Sequence, residues 1–128
     1  MSDVKQYKIA IIEDELELVD SLKQFLEPRG FEISAAYDGE TGLRIVQETL
    51  PDIVLLDIMM PKLDGRDVLI RLKKDEKTKG IPVIIISAKD EIFEVEYGKE
   101  LGAAAYLTKP CHITQLMKHI NNILGLAL

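Results

Sequence analysis

Three acids, a hydroxyl and a lysine stand where apolar runs of this sequence stop. Tyr7-Lys8-Ile9-Ala10-Ile11-Ile12 runs into Glu13-Asp14-Glu15, and Ile53-Val54-Leu55-Leu56 runs into Asp57. Ile81-Pro82-Val83-Ile84-Ile85-Ile86 stops at Ser87-Ala88-Lys89, and Ala104-Ala105-Tyr106-Leu107-Thr108 stops at Lys109-Pro110. If the runs are parallel strands of one sheet, their carboxyl ends share an edge, which is where such sheets gather ligands. Glu13, Asp14, Asp57, Ser87 and Lys109 would then converge. Like-charged carboxylates so placed repel by about 4 kcal/mol per pair at about 4 Å, for an effective dielectric of about 20. A hard divalent cation resolves that conflict, and carboxylate oxygens with open water positions suit Mg²⁺, or Mn²⁺ in its place, better than zinc.

Such a set has the parts for phosphoryl transfer, which depends on positioning and on neutralising the equatorial oxygens. Asp57 would be the attacking carboxylate, giving an aspartyl-phosphate. The cation and Lys109 would take two equatorial oxygens, and the Ser87 hydroxyl with the backbone N–H of Ala88 would take the third.

The elements that must position these groups follow from apolar periodicity. The four aliphatics before Asp57 form a gap-free run, as expected of a strand buried on both faces. Leu18, Val19, Leu22, Phe25 and Leu26 mark the inward face of a first helix, closed by Pro28 and Gly30. Phe31 to Ala36 reads as a second strand, and its cleaner alternation places it toward an edge. Asp38-Gly39 turns into a second helix with Leu43, Val46 and Leu50 inward, ended by Pro51. A third helix buries Val68, Leu69 and Leu72, and Lys73 to Gly80 reads as a solvated connector. A fourth helix is expected from about Glu91 to Leu101, and a last one carries Ile113, Leu116, Met117, Ile120, Ile123 and Leu124. Five strands alternating with five helices predict an α/β fold: a doubly wound parallel sheet covered on both faces.

At 128 residues, with 47% apolar and 30% charged residues, the chain suits one globular domain, with a core from about residue 7 to 124. The single cysteine excludes an internal disulfide and suits a reducing cytoplasm. No apolar run is long enough for a bilayer, and Met1-Ser2-Asp3-Val4-Lys5 lacks a signal peptide's apolar segment. A net charge of −6 argues against nucleic-acid binding through the overall field.

From about Tyr7 to Leu124 the chain resembles the CheY-like receiver domain of two-component response regulators. The resemblance rests on Ile11-Ile12-Glu13-Asp14-Glu15, on Pro51 to Pro61 with Asp64-Gly65, on Ile85-Ile86-Ser87-Ala88, and on Tyr106-Leu107-Thr108-Lys109-Pro110. It implies the flavodoxin-like strand order 2-1-3-4-5 and a signalling module in place of a conventional enzyme. It implies Asp57 as phosphoacceptor, Glu13 and Asp14 as the acidic metal pair, and the Met59 backbone carbonyl as a further ligand. Met59 also joins Ser87, Ala88 and Lys109 around the phosphate, and Ser87 with Tyr106 forms the switch. A cis peptide is expected at Lys109-Pro110. The donor would be a phosphohistidine on a sensor kinase or phosphotransfer protein. The reader would be an output domain, a downstream protein or a second copy, docking on the fourth helix, fifth strand and last helix. Tyr97, Lys99, Tyr106 and Lys118 are candidates on that face. Ala104, Ala105 and Cys111 depart from the family's usual residues there. Met59 and Lys89 occupy positions that help set phosphate lifetime in this family, and the apolar Met59 argues for a long-lived phosphate.

Plainer roles compete at each position. Glu13 and Asp14 could cap the first helix, Ser87 could cap the fourth, and Tyr106 could be core. Cys111-His112 lacks the further ligands of a metal site. A haloacid-dehalogenase-type phosphohydrolase would need an acid where Met59 stands, and an FMN carrier would find Glu13-Asp14-Glu15 repelling its phosphate. A receiver-like docking module without phosphorylation is the remaining alternative.

Overall fold

The computed structural model describes residues 6–60, 63–88 and 100–126. Five strands form one parallel sheet: β1 (Lys8–Ile12), β2 (Glu32–Ala36), β3 (Ile53–Leu56), β4 (Val83–Ser87) and β5 (Ala105–Thr108), in the order β2-β1-β3-β4-β5. Four α-helices lie among the described residues: α1 (Leu16–Leu26), α2 (Gly39–Thr49), α3 (Gly65–Lys74) and α4 (Ile113–Leu124). The expected helix from Glu91 to Leu101, with Tyr97 and Lys99, falls almost wholly outside them, as do Pro61, Lys62 and Lys89.

The alternation of each inner strand divides the core into two layers. Ile9 and Ile11, Ile53 and Leu55, and Ile84 and Ile86 face Val19, Leu22 and Leu26 of α1 and Leu116 and Ile120 of α4. Ala10 and Ile12, Val54 and Leu56, and Val83 and Ile85 face Val46 of α2 and Val68, Leu69 and Leu72 of α3. This is why the strands read as unbroken apolar runs: both faces are covered. The β2 strand pairs only with β1 and is half-buried, as its alternation predicted.

Two local expectations are corrected. Leu50 does not face inward; it is the C-cap of α2 in a left-handed conformation (φ 46°) and is 48% exposed. The Lys73–Gly80 segment is not simply solvated. Lys73, in the last turn of α3, donates to the carbonyls of Lys79 and Ile81 at 3.2 and 2.8 Å, and Thr78 is fully buried with its hydroxyl on the Leu72 carbonyl at 2.7 Å.

Candidate functional site

Strand register carries the chemistry to one edge. Ile12 pairs with Leu56, so Glu13 and Asp57 leave the sheet side by side. The ladder continues one step into both: Glu13 N–H donates to the Ala36 carbonyl at 3.0 Å and Asp57 N–H to the Ile12 carbonyl at 2.9 Å. On the far side Ser87 pairs with Thr108, and Lys109 N–H donates to the Ser87 carbonyl at 2.7 Å. Backbone hydrogen bonds thus place Glu13, Asp57, Ser87 and Lys109 before any side chain acts. The Lys109-Pro110 peptide is cis, as expected.

Past Asp57 the chain turns sharply. Met59 N–H donates to Asp57 Oδ1 at 3.1 Å, and Gly65 N–H donates to the Ile58 carbonyl at 3.0 Å. Gly65 opens α3, capped by Asp64, whose carboxylate accepts from the Arg66 N–H at 2.8 Å. A Cβ at position 65 would lie 2.6 Å from Ile58 Cα and collide with the Asp57 carbonyl. Only glycine lets α3 approach the backbone of the acid so closely.

One carboxylate oxygen each from Glu13, Asp14 and Asp57 lies within 4.8 Å of the others. Glu13 and Asp57 are each 3% exposed, whereas Asp14 opens to solvent. Burial pushes the Glu13 carboxyl from its ordinary 4.5 up to about 7, against the opposing pull of Lys109. Burial raises Asp57 as well, against Lys109 and the Met59 N–H. Two buried carboxyls held above their normal range beside a third acid form a donor set that gains from a divalent cation. All-oxygen ligands with an exposed side for water fit Mg²⁺ or Mn²⁺.

Among the described residues, Lys109 is the cation facing these acids. Its Nζ lies 2.9 Å from Glu13 Oε1, 3.4 Å from Asp57 Oδ2 and 2.6 Å from Glu15 Oε1. Burial alone would lower the ammonium's pKa, but the bonds to Glu15 and Glu13 and the Asp57 charge outweigh it and raise it. Ser87 is fully buried at the end of β4, Ala88 follows it at the surface, and Met59 is half exposed on the other flank. Tyr106 is half-buried in β5 and packs on the α2–α3 side of the core. Arranged this way, Asp57 can act as a nucleophile between a cation site and an ammonium.

Glu13, Asp14, Asp57, Met59, Ser87, Ala88 and Lys109 therefore come to the same edge or its flank, Tyr106 stands two residues before the end of β5, Lys118 lies on α4, and Lys89, Tyr97 and Lys99 lie outside the described residues. The residue that sequence reasoning missed is Glu15. It was visible only as one more acid in Glu13-Asp14-Glu15, and nothing local couples it to a lysine 94 residues away.

A parallel sheet in the order β2-β1-β3-β4-β5 with helices on both faces defines the flavodoxin-like class of α/β folds. Within it the assignment is specific: the chain belongs to the response regulator receiver domain family, whose model matches residues 9–121. It is 38% identical over 118 residues to the protein PilH of Pseudomonas aeruginosa, covering 92% of this chain and 98% of that one. It also matches longer transcriptional regulators at 35–39% identity, of whose length it spans about half. Among solved structures, a putative response regulator from Chloroflexus aurantiacus superposes with a TM-score of 0.88 at 30% identity, over 94% of this chain and 99% of that one. The Mn²⁺-bound form of the response regulator Rcp1 superposes with a TM-score of 0.77 at 27% identity, over 93% and 92%. The protein is thus a receiver domain of the two-component response regulators.

Proposed function

We propose that this receiver domain accepts a phosphoryl group on Asp57 from a phosphohistidine donor in a Mg²⁺-dependent reaction. The observation that carries the reading is the juxtaposition of buried Asp57 with Glu13 and Asp14 on one side and the Lys109 ammonium on the other. An Asp57 carboxylate oxygen forms the new O–P bond, the donor's P–N bond breaks, and the imidazole leaves with the electron pair. Glu13, Asp14, Asp57 and the Met59 backbone carbonyl would hold the cation, which supplies charge neutralisation at the transferring phosphoryl oxygens; Mn²⁺ would substitute. Lys109 takes one of those oxygens, and Ser87 with the Ala88 N–H takes another. The domain catalyses its own modification and later its hydrolysis, and is not a conventional enzyme. Half-exposed Met59 beside Asp57 argues for slow hydrolysis.

The signal passes by differential contact. Movement of Ser87 toward the phosphoryl group and of Tyr106 into the space beside it biases the face around β5 and α4 toward a second arrangement. An output domain, a downstream protein or a second copy reads that face, and the sequence as given acts as one domain in the cytoplasm, with neither nucleic acid nor membrane as its own ligand.

Intact mass after incubation with Mg²⁺ and acetyl phosphate tests the reading. The expected result is a gain of one phosphoryl mass, about 80 Da, in the wild type. That gain should vanish in Asp57→Asn and on chelation of the cation. A folded protein that binds Mg²⁺ and gains no mass would instead be a docking module, and the reading would be wrong.

A further inference from the structure

Glu15 occupies the N-cap of α1, where an acid ordinarily turns its carboxylate onto the free N–H groups of its own helix. It does not do so here: the Glu15 side chain makes no cap bond. Glu13 Oε2 instead accepts from the Glu15 N–H at 3.0 Å. The Glu15 carboxylate reaches away from the helix to Lys109, at 2.6 Å the shortest of the three contacts the ammonium makes. The contact to Asp57, at 3.4 Å, is the longest. The lysine is therefore drawn off the residue that is to be phosphorylated, and toward solvent.

The two ends of this pull differ in what release costs. Glu13 is buried, with its side chain 4% exposed, so losing the ammonium would leave its charge without water. The Glu15 side chain is 60% exposed, and water can take over its oxygens at once. When Lys109 needs a free N–H for a new anion, the bond that yields is the one to Glu15. Glu15 also borders a cavity of about 420 Å³ lined by Leu18, Ile86, Ala88, Pro110 and Cys111, so it has room to swing clear.

We infer that Glu15 is a positioning residue that competes with the phosphoryl group for the Lys109 ammonium, and so sets how tightly the Asp57 site holds a phosphoryl-like anion. The inference rests on the phosphoacceptor reading above and concerns its regulation by this chain's own third acid. The Glu15 carboxylate acts through Lys109, while the Glu15 N–H that donates to Glu13 Oε2 is kept in every substitution at this position.

The test is the affinity and release rate of beryllofluoride, a tetrahedral mimic of a phosphoryl group on a carboxylate. It is measured with Mg²⁺ on the intact chain for wild type, Glu15→Gln, Glu15→Asp and Glu17→Gln. Glu17 lies in the first turn of the same helix and is exposed, so Glu17→Gln removes the same charge without the contact. Glu15→Asp keeps the charge but shortens the reach and restores a helix-capping side chain. Expected is binding about two- to five-fold tighter in both Glu15 variants, the span of one exposed ion pair given up, with slower release. Glu17→Gln should stay near wild type at about 0.5 M salt, where the Debye length is only a few ångströms. Wild-type binding with Glu15→Gln indistinguishable from Glu17→Gln would overturn the role of Glu15 and leave the phosphoacceptor reading standing. No beryllofluoride binding by the wild type would overturn both.

Discussion

The two halves of the site are built differently. Glu13 and Asp57 extend β1 and β3, strands with neighbours on both sides, and each carries a ladder hydrogen bond of its own. All four residues of β3 are buried. Lys109 follows β5, which among the described residues pairs only with β4 and in which three of four residues are half-buried. Its ammonium sits at the end of a long stem and is placed by the acids it meets. All three backbones are held by ladder bonds, but the short acid side chains stay close to theirs, whereas the ammonium is placed by its partners. Under the proposed function a site that binds and later releases a phosphoryl group gains from that division, because rigidly held acids can be served by a lysine that changes partner.

The sharpest way to break this contrast is to truncate one core residue in each half. Leu55→Ala, at a fully buried position in β3, should cost about 3–5 kcal/mol, whereas Leu107→Ala in β5, 7% exposed, should cost about 2 kcal/mol. Urea unfolding with a common slope checks the difference. Equal losses would mean that the edge strand is as firmly held as the centre.

A smaller effect should come from the backbone under the nucleophile. Gly65→Ala forces a Cβ against Ile58 and the Asp57 carbonyl, so it should cost about 1–3 kcal/mol by overpacking. It should also slow phosphoryl labelling of Asp57 by acetyl phosphate. Gly80→Ala, where an added Cβ meets nothing within 4 Å, is the counterpart and should change stability by less than about 0.5 kcal/mol with labelling intact. Unimpaired labelling in Gly65→Ala would show that the acid half tolerates displacement.

The smallest effect is a slope with pH. Glu13 has its carboxyl raised from 4.5 to about 7 in the folded chain, so between those values the folded state holds a proton that the unfolded state has lost. The stability this contributes is complete below about pH 4.5 and disappears as pH rises through about 7. Asp57, raised in the same direction, adds to the trend. Without divalent cations the melting temperature should therefore decline from pH 5 to 7.5 more steeply in wild type than in Glu13→Gln. Parallel curves would remove burial as the source of the acid half's need for a cation.

What the sequence revealed divides along the same line. Apolar runs ending in Asp57 and Glu13 declare buried parallel strands and the groups at their ends, because burial on both faces leaves a mark on every residue of the run. The edge position of β2 followed from the same marks, whereas the strand order came from the resemblance to receiver domains. Features set by long-range side-chain contact left none. Leu50 looked like part of an inward stripe, and only its left-handed backbone turns it out. Thr78 and Lys73 read as members of a charged connector, yet both tie it down through backbone carbonyls that any sequence would offer. Glu15 looked no different from its two neighbours, since its distinction is a partner 94 residues away.

The half-buried thiol of Cys111 lines the cavity that Glu15, Leu18 and Lys109 also border, and it is the chain's one cysteine. Burial raises its pKa, so indiscriminate alkylators should find it slow. A fragment shaped to dwell in that cavity would find it within bonding reach. The domain thus carries a natural address for covalent chemistry beside Lys109, where a tethered dye or fragment would report on the ammonium without altering any of the acids.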